Sequence, residues 1–251
     1  LEKLGVHAVH ITGGNYGSYA QGLMIPPMAV PAGPFIPAAA EINKAVKIPV
    51  IAVSKINTPE LAEEVLASKK ADLVALGREL IADPEWPNKV KEGNIADINR
   101  CIACNQGCID RLFAQLDTQC VVNPLYGREE EFKIIPASEP KKVMVVGGGP
   151  AGMQAAIVLK QRGHEVAIYE KDEKMGGQMN LAEIPPHREG ITWFKNYLID
   201  QVHKLEIPEN LNTEVTPELV ASENPDAVIL ATGSSCARPP IAGGDLPNVF
   251  L

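Results

Sequence analysis

The apolar positions of the first hundred residues fall in short, nearly unbroken runs separated by helical patterns. VHAVHIT (6–12), PVIAVS (49–54) and ADLVALG (71–77) are almost continuously apolar, as strands buried on both faces are. Between the last two lies TPELAEEVLASK. There Thr58 predicts an N-cap, Pro59 the first helical position and Glu60 an acid in the positive first turn. Asp83-Pro84 predicts a further helix that stops near Gly93. Strand, helix, strand, helix implies parallel βα units. Three strands neither close a barrel nor make a robust open sheet. The expectation is therefore a sheet that continues elsewhere, or a chain that is a piece of a longer protein.

From about residue 141 the pattern restarts. KVMVVGGGPAG predicts a strand, a glycine turn and an alanine-rich helix that ends near Gly163, with HEVAIYE (164–170) as the next strand. The unit takes about 30 residues, the size of one βαβ motif. DAVILATG (226–233) predicts one more buried strand running into a glycine. The stretch GLMIPPMAVPAGPFIPAAA (22–40) is uncharged and nearly long enough to span a bilayer. Pro26, Pro27, Pro31, Pro34 and Pro37 interrupt it, so a packed, irregular loop is expected instead.

The chain has 251 residues, 45% hydrophobic and 22% charged, an ordinary globular balance. Its net charge of −8 argues against nucleic acid as a partner. Leu1 to His10 lacks the charged and apolar regions of a signal peptide. A cytoplasmic setting without disulfides is expected, and clustered cysteines there point to metal or redox chemistry.

Four of the five cysteines lie within twenty residues, CIACNQGCIDRLFAQLDTQC, with spacing C-x2-C-x3-C-x11-C. Cys101, Cys104 and Cys108 can converge from one loop, and Cys120 completes a tetrahedral sulfur set. A cubane iron–sulfur cluster takes such a set. Structural zinc accepts it too, although zinc more often pairs two separate C-x2-C units. A group of buried small hydrophobes is the remaining reading. Cys236 stands apart and reads as an inert thiol.

Gly147-x-Gly149-x-x-Gly152 follows a strand and opens a helix. The first glycine permits the tight turn, the second lets a pyrophosphate approach the backbone, and the third lets helix and strand pack closely. The helix N-terminus offers free N–H groups to the phosphates. Glu170 ends the next strand 18 residues past Gly152, where an acid accepts hydrogen bonds from a ribose. A structural turn is the alternative. Ser54-Lys55 and Gly77-Arg78 end two of the earlier strands. Ligands of parallel α/β sheets sit at such ends, and these residues suit a phosphate or are solvated loop charges.

HITGGNY, PVIAVSKI, DLVALGRELIADP, CIACNQGC with CVVNPLYGRE, VMVVGGGPAGMQAA, GGQMNLA and DAVILATGS occur in this order. Together they resemble the iron–sulfur flavoenzymes related to old yellow enzyme. That family includes dienoyl-CoA and enoate reductases, NADH oxidases of that type, and trimethylamine dehydrogenase. The resemblance implies an α/β chain in three parts. Residues 1–95 would be the C-terminal part of an FMN-binding TIM barrel, beginning near strand six. Residues 96–140 would be the iron–sulfur segment and linker. Residues 141–251 would be an incomplete Rossmann-like FAD/NAD(P)-binding domain.

It also implies roles. Ser54, Lys55, Gly77 and Arg78 fall on FMN-phosphate positions; Gly147, Gly149, Gly152 and Glu170 fall on the FAD fingerprint; Gly177 and Gln178 match a loop that touches FAD. The four clustered cysteines would hold a [4Fe–4S] cluster. Dienoyl-CoA reductases of this type place a proton-donating histidine shortly after strand six, where this chain has Tyr16 in GGNYGSY. Tyr16 is a weak candidate donor and reads first as an aromatic cap; His7 and His10 read as packed or hydrogen-bonded strand residues. The implied activity passes electrons from NAD(P)H through FAD and the cluster to FMN, which reduces an α,β-unsaturated carbonyl compound. An amine dehydrogenase with outward electron flow and a zinc-stapled nucleotide-binding module are the alternatives. A small-molecule substrate is implied and no membrane, with self-association into a homo-oligomer left open.

Overall fold

The computed structural model describes residues 1–15, 24–235, 237–238, 240–243, 246–247 and 249. Tyr16 and Cys236 lie outside these residues. The chain forms two compact units, Leu1–Ile135 with Met179–Gln201, and Pro136–Gln178 with Val202–Leu251. Both contain parallel sheets, so the α/β class stands.

In the first unit, β1 (Val9–Ile11), β2 (Val50–Ala52) and β3 (Leu73–Val74) pair in that order, all parallel, with Val9 opposite Val50 and Ile51 opposite Leu73. Helix α1 (Ile36–Ala45) connects β1 to β2, and α2 (Pro59–Ala67) connects β2 to β3. The helices α3 (Arg78–Ala82) and α4 (Trp86–Glu92) follow. Ile11, Ala39, Val50, Ile56, Val65 and Trp86 form the core of this layer.

Helix α2 starts as its sequence predicts. The Thr58 hydroxyl accepts the Leu61 N–H at 3.2 Å, and Pro59 occupies the first turn. Thr58→Ala is expected to lower the stability of the first unit by about 1 kcal/mol, measured by urea denaturation. Helix α4 ends at Gly93, whose φ of 77° is left-handed. The expected loop over 22–40 is only partly a loop, because α1 begins inside it at Ile36. Pro37 sits in the first turn, where its missing N–H has no intrahelical partner to lose. Five prolines therefore do not exclude helix throughout the stretch.

The second unit carries a four-stranded parallel sheet of order β6-β5-β4-β7. Its strands are β4 (Lys142–Val146), β5 (Glu165–Tyr169), β6 (Glu209–Asn210) and β7 (Ala227–Leu230). Helix α5 (Pro150–Gln161) makes the crossover from β4 to β5. Helix α6 (Glu189–Lys204), which has no counterpart in the sequence reading, belongs to the first unit up to Gln201, whereas α7 (Pro217–Glu223) precedes β7. Met144, Val145, Met153, Ala156 and Ile168 are buried.

Three expectations of burial need correction. β7 reads as a buried strand, yet Leu230 is 77% exposed, and Leu73 of β3 is 50% exposed. His7 and His10 are exposed rather than packed. All of these lie on or beside the outermost strands of their sheets, where an apolar sequence does not guarantee a covering layer. Among the described residues, no helix is long and apolar enough to cross a membrane.

Candidate functional site

The cysteine segment of the first unit folds back on itself. Gly107 is the crossing point: a Cβ there would stand 2.5 Å from the Gln119 carbonyl oxygen. The Gln119 N–H donates to the Gly107 oxygen at 2.8 Å. This backbone approach brings Cys120 beside the loop that carries the other three thiols. Asn99 Nδ2 donates to the Val122 carbonyl at 2.7 Å and Asn123 Nδ2 to the Ile81 carbonyl at 2.9 Å, fastening the Cys120 arm to the unit. After Cys104, Asn105 takes a left-handed φ of 62° and a wide π-type turn runs from Gln106 to Asp110.

Cys101, Cys104, Cys108 and Cys120 consequently line one cavity, together with Arg78 and Asn105. All four are free thiols. Burial pushes the Cys101 thiol up to about 12, and nearby Glu79 adds to the rise. Burial also raises Cys108 and Cys120. Backbone N–H groups act in the opposite sense: Ala103 on Cys101 at 3.4 Å, Ile109 on Cys108, and Val122 and Asn123 on Cys120. A cavity lined by four sulfurs and supplied with N–H donors fits an iron–sulfur cluster, whose positive irons hold thiolates in place of protons. Among the described residues neither the four thiols nor any other group of three or more His, Cys, Asp or Glu side chains converges on one metal ion, so the fit rests on the shared cavity and its donor set.

The expected flavin-phosphate residues belong to the same unit. Ser54 follows β2 at φ 90° and Lys55 at φ 50°, left-handed values that non-glycine residues adopt only at a cost. The Ser54 hydroxyl is buried and lacks a partner among the described residues. Gly77 caps α3, and a Cβ there would meet nothing within 4 Å. An orphaned hydroxyl and an open glycine suit an FMN phosphate. Lys55 Nζ donates to the carbonyls of Pro27 at 3.1 Å and Met28 at 2.8 Å, and to that of Val30. Burial lowers its pKa, with Arg78 contributing. Arg78 Nη1 donates to the Pro26 carbonyl at 2.9 Å and to Asn105 Oδ1 at 2.5 Å.

In the second unit the three glycines divide their work. A Cβ on Gly147, at φ 109°, would lie 2.3 Å from the Ala231 oxygen, and one on Gly152 would lie 1.9 Å from the Gly147 oxygen. Turn and helix thus require both. Gly149 lies against Gly177: a Cβ on Gly177, at φ 52°, would stand 3.1 Å from the Gly149 Cα, so two bare backbones meet there, which suits the close approach of a pyrophosphate of FAD. Glu170 Oε2 accepts the Gly148 N–H at 2.6 Å and its Oε1 accepts the Asp172 N–H, so the acid also braces the glycine loop. Gln178 Nε2 reaches the Ser234 carbonyl, joining its loop to the turn after β7.

Comparison with known proteins matches two separate stretches of the chain. Residues 28–97 match the NADH:flavin oxidoreductase / NADH oxidase family, and residues 141–251 match the pyridine nucleotide-disulphide oxidoreductase family. An NADH oxidase of Thermoanaerobacter brockii is 45% identical over 253 residues, covering 100% of this chain and 39% of that protein. Over residues 28–97 the chain is therefore similar to the NADH:flavin oxidoreductase / NADH oxidase family, a family of oxidoreductases. A cinnamate reductase of Clostridium sporogenes is 36% identical, covering 92% of this chain and 35% of that protein. A solved 2-naphthoyl-CoA reductase bound to 2-naphthoyl-CoA superimposes with a TM-score of 0.89 at 36% identity, over 96% of this chain and 36% of that one. The chain thus spans little more than a third of the length of these family relatives.

Two residues at the cysteine cavity escape the sequence reading. Asn105 carries one signal, since asparagine tolerates the left-handed region and stands between two of the cysteines. Glu79, buried beside Arg78 with its carboxyl raised by burial, carries none.

Proposed function

We propose that the chain is part of an NAD(P)H-dependent flavin and iron–sulfur oxidoreductase. Electrons would pass from NAD(P)H through FAD and a [4Fe–4S] cluster to FMN, for reduction of an α,β-unsaturated carbonyl compound of the enoate or dienoyl-CoA type. The first unit would be the C-terminal part of a TIM barrel with the iron–sulfur segment, and the second a Rossmann-like FAD-binding unit. The observation that carries this reading is the cavity lined by four thiols, in the same unit as the strained Ser54 with its buried hydroxyl unpartnered among the described residues.

When bound, the flavins would supply both hydride and single-electron transfer, the two kinds of step that a route through a one-electron cluster needs. The protein's own work is positional. Cys101, Cys104, Cys108 and Cys120 would ligate iron. Ser54, Gly77 and Arg78 would hold the FMN phosphate, with Lys55 ordering the loop beside it. Gly147, Gly149 and Gly152 would admit the FAD pyrophosphate, Glu170 would take its ribose, and Gly177 with Gln178 would border its site. The names of the cinnamate and naphthoyl-CoA reductases support an unsaturated acyl substrate.

The test is anaerobic titration of the full-length holoenzyme with NADH and with NADPH. Bleaching of flavin absorbance, with iron and sulfide present in about equal amounts, is expected, followed by reoxidation on adding cinnamate or an enoyl-CoA. Stoichiometric zinc without iron, or flavin that neither nicotinamide reduces, would overturn the reading.

A further inference from the structure

The segment Ile25–Val30 is held by side chains distant in sequence. Asn105 Nδ2 donates to the Ile25 carbonyl at 3.1 Å, Arg78 Nη1 to Pro26, and Lys55 Nζ to Pro27, Met28 and Val30. Pro26 and Pro27 have no N–H to return, so this loop is a one-way set of acceptors. It fixes the three donors as firmly as they fix it.

For Arg78 the consequence is orientation. Its hydrogen bonds to Pro26 and to Asn105 Oδ1 both leave from Nη1. Its Nε and Nη2 make none among the described residues. Those two atoms form the side-on edge of a guanidinium, the edge that grips an oxyanion with two parallel bonds. Asn105 and the Pro26 carbonyl therefore occupy one nitrogen and, among the described residues, leave the phosphate-binding edge open. It is itself held by its left-handed backbone and by the Ile25 carbonyl.

We propose that Asn105 is a positioning residue for the flavin phosphate, clamping Arg78 so that its Nε–Nη2 edge faces the anion. The inference rests on the reading of Arg78 as a phosphate ligand. It gives the cysteine loop a direct hand in flavin retention, because Asn105 lies between Cys104 and Cys108.

The test compares FMN with riboflavin, which lacks the phosphate, by fluorescence titration of the flavin-stripped full-length protein. Asn105→Gly removes the side chain and keeps a backbone for which φ 62° carries no strain. It is expected to weaken FMN about tenfold while leaving riboflavin affinity within about twofold. Arg78→Ala should show the same selectivity, and the double variant should lose no more than Arg78→Ala alone. Unchanged FMN affinity in Asn105→Gly would overturn the inference. So would equal loss of both flavins, including loss through misfolding, because Asn105 would then be a structural residue only. If Arg78→Ala fails to distinguish the two flavins, the phosphate reading itself falls. If Arg78→Ala distinguishes them and Asn105→Gly does not, only the role of Asn105 falls.

Discussion

Cys120→Ala is expected to abolish the proposed cluster while leaving both flavins of the full-length protein bound. Three of the four thiols come from one loop, and Cys120 comes from an arm that crosses it at Gly107. The hydrogen bonds that fasten this arm run from Asn99 to Val122 and from Asn123 to Ile81, not through the Cys120 side chain. The arm should therefore keep its place in the variant while the cavity loses its fourth sulfur. Iron per chain should drop to background in anaerobically purified protein. Electron delivery to FMN should slow by at least about hundredfold, since removal of even an outer partner of a metal site costs ten- to hundredfold. NADH should still bleach the FAD. Full iron content in this variant would show that Cys120 is not a ligand.

Gly152→Ala should have the second large effect, in the other unit. The added Cβ would lie 1.9 Å from the Gly147 oxygen and 3.4 Å from the Ala231 Cβ. The nearest of these atoms is backbone, pinned by the Gly147 N–H bond to the Tyr169 carbonyl at 2.8 Å, so no side chain can swing aside. Helix α5 must move off the sheet, at a cost of about 3 kcal/mol or more. That movement carries away the helix N-terminus on which a pyrophosphate would rest. Loss of FAD on gel filtration, with FMN and iron retained, is the expected result. Retention of FAD at wild-type occupancy would show that the glycine fingerprint is only a turn.

The elements legible in advance were those whose causes are local. Thr58 caps its helix through a neighbour three residues on, and Gly93 and Gly163 end theirs by adopting left-handed φ values. Helix α1 was obscured because a proline's meaning depends on whether it falls in a first turn or an interior. Helix α6 does repeat an apolar residue every four positions, at Phe194, Leu198 and Val202, which a search for helical periodicity would have found.

The site divides the same way. Four cysteines in twenty residues announce themselves, and so does a glycine triplet between strand and helix. The hydrogen bonds of Arg78 to Asn105 and of Lys55 to the proline-rich loop join residues 25 to 28 apart, and that of Asn105 to Ile25 spans 80. No local pattern encodes such partners, because the fold alone brings them together.

The buried thiol of Cys101 has a bearing on how the chain behaves with its cavity empty. With a pKa of about 12, only about one molecule in a hundred thousand carries the reactive anion there at pH 7. Peroxides attack the anion and largely ignore the protonated form. On the proposed reading this sulfur would resist oxidation while no cluster is present, and an arriving metal would itself have to drive off the proton.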